Sequence, residues 1–222
     1  MASRDEAELA ARCGAAAIGL VSAMPSGPGV IDEATIADIV AGAPAGLARF
    51  LLTSRTDPAR IAAQQRRTGA DTLQLVDRVA PDALRSLRER LPGVSLVQVV
   101  HVRDAGAVEE AADVAPLVDA ILLDSGNPDL AVKRLGGTGR VHDWTHSRTI
   151  VEEVDRPVYL AGGLRPSNVG AAIAAVRPFG VDACSGLRTR GRLDERRLRR
   201  FMRNVRKAGG GVGRPAARTD GC

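Results

Sequence analysis

One carboxylate and a run of glycines stand together in the second half of the chain. Asp124 follows the short apolar run 120–123, which is typical of a buried strand, and a glycine-rich loop that contains Gly137 and Gly139 comes soon afterwards. α/β proteins place their chemistry at strand ends, and glycines let backbone N–H groups approach an anion closely. The pattern therefore indicates a binding or catalytic site. The alternative is a helix-capping aspartate beside an ordinary loop.

Two further loops in the last third follow predicted strands in the same way. Gly162 and Gly163 follow one strand, and Ser185 and Gly186 follow the last one. Barrel enzymes commonly hold a phosphate group with the loops after strands seven and eight. Each glycine alone would be explained by a tight turn. Together the two loops predict a phosphate site.

Strand and helix signals alternate along the chain, at intervals of about 25 to 30 residues. The patterns predict seven strands, each followed by a helix, and one helix with no strand before it. This repetition favours an α/β fold of the (β/α)8 TIM-barrel class from which the first strand is absent. A doubly wound sheet is the rival, but no GxGxxG motif follows the first strand. The predicted strands are 17–22, 49–53, 72–76, 95–102, 119–123, 157–160 and 181–183.

Length and composition fit one such domain. The chain has 222 residues, of which 45% are hydrophobic, but only five residues are aromatic. The core must therefore consist of Ala, Val, Leu and Ile, which suits parallel strands covered by helices. We predict a single barrel domain over residues 1–208. The Gly-, Pro- and Arg-rich segment 209–222 is predicted to be a disordered tail.

Cysteine usage and charge restrict the partners and the compartment. The three cysteines form no CxxC motif, which argues against a disulfide framework or a zinc site. No signal peptide or long apolar span is found, so we expect a cytoplasmic protein without a membrane partner. The net charge of +5 is almost all arginine. The arginine-rich stretch 188–206 would suit a nucleic-acid surface, but its apolar residues recur at helical spacing. An amphipathic terminal helix with a solvated basic face, and no nucleic-acid partner, is the better interpretation.

Three motifs resemble the phosphoribosylanthranilate isomerase family. They are Gly-Gly-Thr-Gly-Arg-Val-His-Asp-Trp at 136–144, Leu-Ala-Gly-Gly-Leu-Arg-Pro-Ser-Asn-Val at 160–169 and Gly-Val-Asp-Ala-Cys-Ser-Gly at 180–186. The resemblance implies a compact eight-stranded barrel that carries out an Amadori rearrangement in tryptophan biosynthesis. The substrate would be N-(5-phosphoribosyl)anthranilate, and the product the corresponding 1-deoxyribulose phosphate. It implies no metal and no cofactor, and a small phosphorylated molecule as the only ligand. We expect a monomer or a homodimer.

The same resemblance suggests roles for single residues. Asp124 matches the family's general acid, which opens the sugar ring by protonating its oxygen. Asp182 matches a second carboxylate near the substrate, whose charge would help to keep that acid protonated. The loop residues Gly162, Gly163, Ser185 and Gly186 match the phosphate-binding loops, and Gly137 and Gly139 belong to a substrate-binding motif.

Departures from the family are concentrated in the first half. Family members begin with a Lys-Ile-Cys-Gly strand whose cysteine is the general base, whereas this chain starts in the first helix. Cys13 lies at the end of that helix, so a small buried residue is its simplest interpretation. Gly29 stands where the family has an arginine that binds the anthranilate carboxylate. The segment Gln-Leu-Val-Asp at 74–77 replaces Gln-Leu-His-Gly.

Two explanations for these departures remain open. The recorded start codon lies too far downstream, or the chain is a diverged, non-catalytic paralogue that binds sugar phosphates. A barrel that lacks one strand has two unpaired edges, which favours the first explanation. The substitutions at positions 29, 76 and 77 favour the second. His101, at a strand end, is a candidate substitute base, although a surface or hydrogen-bonded histidine is the plainer interpretation.

Overall fold

The structure is a computed structural model that describes residues 1–24, 29–125 and 143–209. Strands and helices alternate through these residues, as the sequence predicts. The strands are β1 Ala17–Val21, β2 Ala48–Thr53, β3 Thr72–Leu75, β4 Ser95–His101, β5 Ala120–Asp124, β6 Val158–Leu160 and β7 Gly180–Val181. The helices are α1 Arg4–Arg12, α2 Glu33–Gly42, α3 Pro58–Thr68, α4 Pro81–Arg90, α5 Gly106–Val114, α6 Trp144–Glu153, α7 Val169–Val176 and α8 Glu195–Gly209.

The seven strands form one parallel sheet in the order of the sequence, from β1 to β7. The sheet is curled, because the rings of Phe50 on β2 and Tyr159 on β6 lie 6.2 Å apart although three strands separate β2 from β6. In a flat sheet that separation would be about 19 Å. The prediction of a (β/α) barrel with one strand missing is confirmed. Within the described residues, β7 has no strand partner on its outer side, and β1 makes only an isolated bridge there, between Val21 and Val30.

Two apolar clusters stabilise this sheet. The larger one lies between the strands and the surrounding helices and includes Leu51, Leu73 and Ile121, which have no exposed side-chain surface. The smaller one lies inside the curled sheet and consists of Val97, Val99, Ala120, Leu122 and Ala161, with Phe50 and Tyr159 packed against it. Side chains alternate between the two faces of a strand. Strands β4 and β5 contribute to both clusters, whereas β3 places Leu73 and Leu75 in the larger cluster and carries the polar Thr72 and Gln74 at the alternate positions.

Local signals set most helix boundaries. Asp57 accepts a hydrogen bond from the backbone N–H of Arg60, and Pro58 occupies the first position of α3, so this helix starts at Pro58. Helix α7 starts at Val169, directly after Asn168, whose side chain contacts the preceding loop. Helix α8 ends at Gly209, and Leu198, Phe201 and Val205 are its buried residues. The amphipathic helix is thus confirmed.

The rest of the predicted tail lies outside the described residues, so the domain limits remain a prediction. No helix in the described parts has the length and apolar character that crossing a bilayer requires.

A gap between β1 and β7, here called the seam, interrupts the barrel wall. A cavity of about 230 Å³ opens there, between residues of β1, β7 and α8. The amino group of Met1 donates a hydrogen bond to the carbonyl oxygen of Gly19, on the unpaired edge of β1. The cavity therefore joins the barrel interior to the outside through the seam.

Glu6 and Arg188 close one end of the seam and are called the clamp. The Arg188 guanidinium donates two hydrogen bonds to the Glu6 carboxylate, of 2.9 and 2.7 Å, and both side chains are about 15% exposed. The backbone N–H groups of Leu193 and Ala2 donate two more. These donors lower the pKa of Glu6 to about 2, against the opposing effect of burial. A hairpin of β8 Arg188–Thr189 and β9 Arg192–Leu193, which was not predicted, positions Arg188.

Candidate active site

Four residues form a row across the carboxyl ends of four neighbouring strands. His101 on β4 is in register with Asp124 on β5. The ladder continues because the N–H of Ala161 donates to Leu123 at 2.7 Å and the N–H of Asp182 donates to Leu160 at 2.9 Å. These bonds place Ala161 beside Asp124 and Asp182 beside Ala161. We call His101, Asp124, Ala161 and Asp182 the mouth row.

The mouth row faces the inside of the barrel. His101 and Asp124 lie two residues after Val99 and Leu122, which belong to the inner apolar cluster, and side chains two apart point to the same side. Among the described residues, Ala161 lies between the two aspartates in the strand register. With strands about 4.8 Å apart, the Cα atoms of Asp124 and Asp182 are roughly 10 Å apart. This spacing leaves room for a small molecule between the two carboxyl groups.

Asp124 ends β5 and is only 8% exposed. One of its carboxylate oxygens accepts a hydrogen bond of 2.7 Å from the backbone N–H of Ser125. That bond fixes the side chain at the strand end. The structure thus places Asp124 where the sequence hypothesis needs a general acid, and the role itself stays a prediction.

The second carboxylate, Asp182, has an unusual pKa. Enclosure by the surrounding protein raises it, the negative charge of Asp124 raises it further, and the result is about 6. Asp182 lines the cavity and is exposed to solvent. The sequence hypothesis used the charge of Asp182 to keep Asp124 protonated. In the structure the raised pKa belongs to Asp182, with Asp124 among its causes.

The loop after β6 has the backbone shape of an anion site. Gly162 and Gly163 both adopt positive φ angles, of 85° and 63°, which only glycine adopts readily. The Asn168 side chain holds the loop, since its amide donates to the carbonyl of Gly163 at 3.1 Å and its oxygen accepts from the N–H of Arg165 at 2.8 Å. The two glycines are thus fixed beside the mouth row.

The loop after β7 packs directly on this first loop. A Cβ atom at Gly186 would lie 2.1 Å from the carbonyl oxygen of Leu164, so only glycine fits there. Ser185 begins a short 3₁₀ turn, Ser185–Leu187, and is exposed. The structure therefore brings Gly162, Gly163, Ser185 and Gly186 together, whereas Gly137 and Gly139 lie outside the described residues.

Comparison with known proteins places the chain in a family. The sequence profile described as N-(5'phosphoribosyl)anthranilate (PRA) isomerase matches residues 53–204. The chain belongs to the PRA isomerase family. Curated relatives include N-(5'-phosphoribosyl)anthranilate isomerase of Haloferax volcanii, 42% identical over 94% of this chain and 92% of the relative. Isomerase 2 of Methanosarcina mazei is 39% identical over 91% and 89%.

Solved structures of PRA isomerases have the same fold. The enzyme of Thermotoga maritima superposes with a TM-score of 0.80 at 26% identity, covering 93% of this chain and 96% of that one. The enzyme of Thermococcus kodakaraensis gives a TM-score of 0.76 at 29% identity, covering 93% and 95%. The barrel prediction and the resemblance are both confirmed.

Two residues that depart from the PRA isomerase pattern are also located. Cys13 caps the end of α1 and is 7% exposed, which confirms a small buried residue. His101 is 8% exposed, and its Nε2 atom lies 3.1 Å from the carbonyl oxygen of Val76. It is therefore a buried, hydrogen-bonded histidine, the plainer of its two interpretations, but it also stands in the mouth row beside Asp124.

Sequence reasoning overlooked Ala161 and Cys184. Ala161 creates the space between the two aspartates, and the Cys184 thiol lines the cavity two residues after Asp182. Burial, followed by the charge of Asp182, raises the pKa of this thiol. The alternation of side chains along β6 and β7 would have indicated both positions. The unreliable boundaries of such short strands concealed that signal.

Proposed function

We propose that this protein is a PRA isomerase, which converts N-(5'-phosphoribosyl)anthranilate to the corresponding 1-deoxyribulose phosphate in tryptophan biosynthesis. The observation that carries the proposal is the pair of carboxylates, Asp124 and Asp182, separated by Ala161 and flanked by two glycine loops. The relatives named above support it, because they bear the name of this activity.

The phosphate group would bind first, at the loops after β6 and β7. Backbone N–H groups around Gly162, Gly163 and Gly186 can approach its oxygens without a side chain in between. With the phosphate fixed there, the ribose extends over the mouth row. Binding energy from this remote group then holds the reacting atoms in place.

Asp124 is the general acid in this proposal. It protonates the oxygen of the furanose ring, the bond between that oxygen and C1 breaks, and C1 becomes an iminium carbon bonded to the anthranilate nitrogen. Asp182 lies across the same space, and when Asp124 holds the proton that the pair shares, Asp182 is the ionised partner. Its negative charge stabilises the positive iminium as it forms.

A second candidate function is a non-catalytic protein that binds sugar phosphates. It is favoured by Gly29, Val76 and Asp77, which occupy positions where the family pattern has functional side chains. Such a protein would keep the two glycine loops and lose the chemistry. Turnover distinguishes the two functions.

The test compares the unmodified protein with Asp124→Asn. Both are incubated with freshly prepared N-(5'-phosphoribosyl)anthranilate, and product formation is measured. We expect turnover by the unmodified protein and a decrease of about 10² to 10⁴ for Asp124→Asn, since an amide cannot deliver a proton. Asp113→Asn, on the exposed surface of α5, is the matched control and should be fully active.

Two results would contradict the proposal. Full activity of Asp124→Asn would remove this residue from the mechanism. No turnover by the unmodified protein, combined with thermal stabilisation by ribose 5-phosphate, would favour the binding protein.

The remaining expectations also belong to this proposal. We place the protein in the cytoplasm, as a monomer or homodimer. Its ligand is a small phosphorylated molecule, and neither nucleic acid nor membrane is a partner. These statements follow from composition and from the family, as given above.

A further inference from the structure

His101 lies at the carboxyl end of the barrel, beside the proposed general acid. It ends β4, it is in register with Asp124, and both side chains are 8% exposed. His101 lies two and four residues after Val99 and Val97, so its side chain is on the same, inner face of the strand. The ring therefore lies at the carboxyl end of the barrel, next to the proposed acid.

The hydrogen bond of His101 determines which ring nitrogen carries the proton. Nε2 lies 3.1 Å from the carbonyl oxygen of Val76. A carbonyl oxygen can only accept, so Nε2 must be the N–H donor in this contact. In the neutral ring the lone pair is then on Nδ1.

Nδ1 is buried and has no hydrogen-bond partner among the described residues. An acceptor that is buried without a partner reduces the stability of the folded protein, so most such atoms have one. His101 is paired in register with Asp124, at the end of the barrel where the substrate is expected. A ligand that donates a hydrogen bond to Nδ1 would supply the missing partner.

Two other groups near the mouth could accept a proton in principle. The Cys184 thiol is a poor candidate, because its pKa is raised and the reactive thiolate is disfavoured. Asp182 is required as the negative charge that stabilises the iminium. His101 is left as the neutral base with an available lone pair.

We propose that His101 is the general base of the isomerisation, an inference that rests on the proposed function. After Asp124 has opened the ring, Nδ1 takes the proton from C2. The C2–H electron pair forms the C1=C2 double bond, and the C=N π pair returns to the anthranilate nitrogen. The resulting enolamine becomes the product when the C2 hydroxyl loses its proton and C1 gains one. C2 is oxidised and C1 is reduced, so no external oxidant is needed.

The geometry of the sugar agrees with this assignment. The ring oxygen and C2 are both bonded to C1, so the atom that receives a proton and the atom that loses one are close neighbours. Asp124 and His101 are likewise neighbours on adjacent strands, with Cα atoms about 4.8 Å apart. One substrate position therefore presents the ring oxygen to Asp124 and C2 to His101.

The experiment uses His101→Asn and His101→Ala in the otherwise unmodified protein. Asparagine keeps a donor for Val76 but is not a base, and alanine leaves space for free imidazole. We expect both variants to lose about 10² to 10⁴ in kcat. Imidazole should restore part of the activity of His101→Ala. The deuterium isotope effect with substrate labelled at C2 should increase in His101→Asn. His146→Asn, on α6, is the control and should behave like the unmodified protein.

Several outcomes would overturn the inference. Unchanged activity in His101→Asn would do so while leaving the proposed function intact. So would a loss of activity that imidazole does not restore and that comes without a larger isotope effect, because a positioning role gives that result. Absence of turnover in the unmodified protein would remove the proposed function and this inference together.

Discussion

Glu6 in the clamp and Asp182 in the mouth row are both carboxylates with a shifted pKa, but their surroundings differ: Glu6 is largely buried and Asp182 is exposed at the cavity. Glu6 accepts two hydrogen bonds from Arg188 and one each from two backbone N–H groups, and its pKa is lowered to about 2. Asp182 lies near another carboxylate, Asp124, and its pKa is raised to about 6. The folded protein thus stabilises one negative charge and destabilises the other.

This contrast separates a structural region from a functional one. A carboxylate whose lone pairs are all used cannot donate or accept a proton near neutral pH, and it can only hold parts together. A carboxylate without sufficient donors reduces stability but remains available to a ligand. The clamp therefore belongs to the first kind and the mouth row to the second.

The largest change in stability is expected from Glu6→Gln. The variant leaves the Arg188 guanidinium enclosed without a counter-charge, and removing one partner of a buried pair lowers the free energy of unfolding by about 3 kcal/mol. Glu8→Gln is the control, because Glu8 is 53% exposed and only 3.6 Å from Arg12, and its effect should be below about 0.5 kcal/mol. Urea unfolding at pH 7 measures both. Equal effects would show that the clamp contributes no more than a surface pair.

A smaller change in stability is expected when a ligand binds beside the mouth row. Ribose 5-phosphate at about 100 times its Kd should raise the free energy of unfolding by about 2.7 kcal/mol. Gly163→Asp puts a side chain and a negative charge into the glycine loop and should abolish this stabilisation. Gly46→Asp introduces the same residue at a similar φ of 82°, in an open place, and should retain it. Thermal unfolding with and without ligand is the measurement, and equal shifts in the two variants would contradict the phosphate site.

The smallest effect is a difference in pH dependence. Glu6 stabilises the fold fully above its ordinary pKa of 4.5, and this contribution is lost as the pH falls toward 2. Asp182 behaves in the opposite way, because its folded pKa of about 6 exceeds its ordinary 3.8. Its contribution is complete below pH 3.8 and is lost as the pH rises through 6.

Denaturation of single variants over a pH series separates these two contributions. Asp182→Asn should remove the change in the free energy of unfolding between pH 4 and 6. Glu6→Gln should remove the change between pH 2 and 4.5. If the variants keep the pH dependence of the unmodified protein, the pKa values of the two carboxylates are not shifted in the folded state.

Much of the fold could be predicted from the sequence. The start of helix α3 can be predicted from Asp57 and Pro58, because these are local signals that do not depend on the rest of the chain. The strands were found from apolar runs, which a parallel sheet covered by helices requires. The order of the strands then followed from their regular alternation with helices.

The positions of the candidate site residues could be predicted in part, and their roles stay predictions. Asp124 and the four loop residues were predicted because each follows a recognisable strand, and Asp182 through the family motif. The clamp was not found, because residues 6 and 188 are brought together by the closure of the whole barrel. The Nδ1 atom of His101, which has no hydrogen-bond partner in the part of the chain that the structure describes, was not predicted either, because the contact with Val76 depends on the exact register of β3 and β4.

The separation of the clamp residues along the chain has a consequence for folding. Glu6 and Arg188 are 182 positions apart, so their contact closes a loop that contains most of the polypeptide. During synthesis, helix α1 leaves the ribosome long before Arg188 is added, and domains fold as their segments emerge. Local pairs such as β1 with β2 can form early, whereas contacts of high sequence separation form slowly because of the entropy of loop closure. We therefore expect the clamp to form late, after most of the barrel has been synthesised.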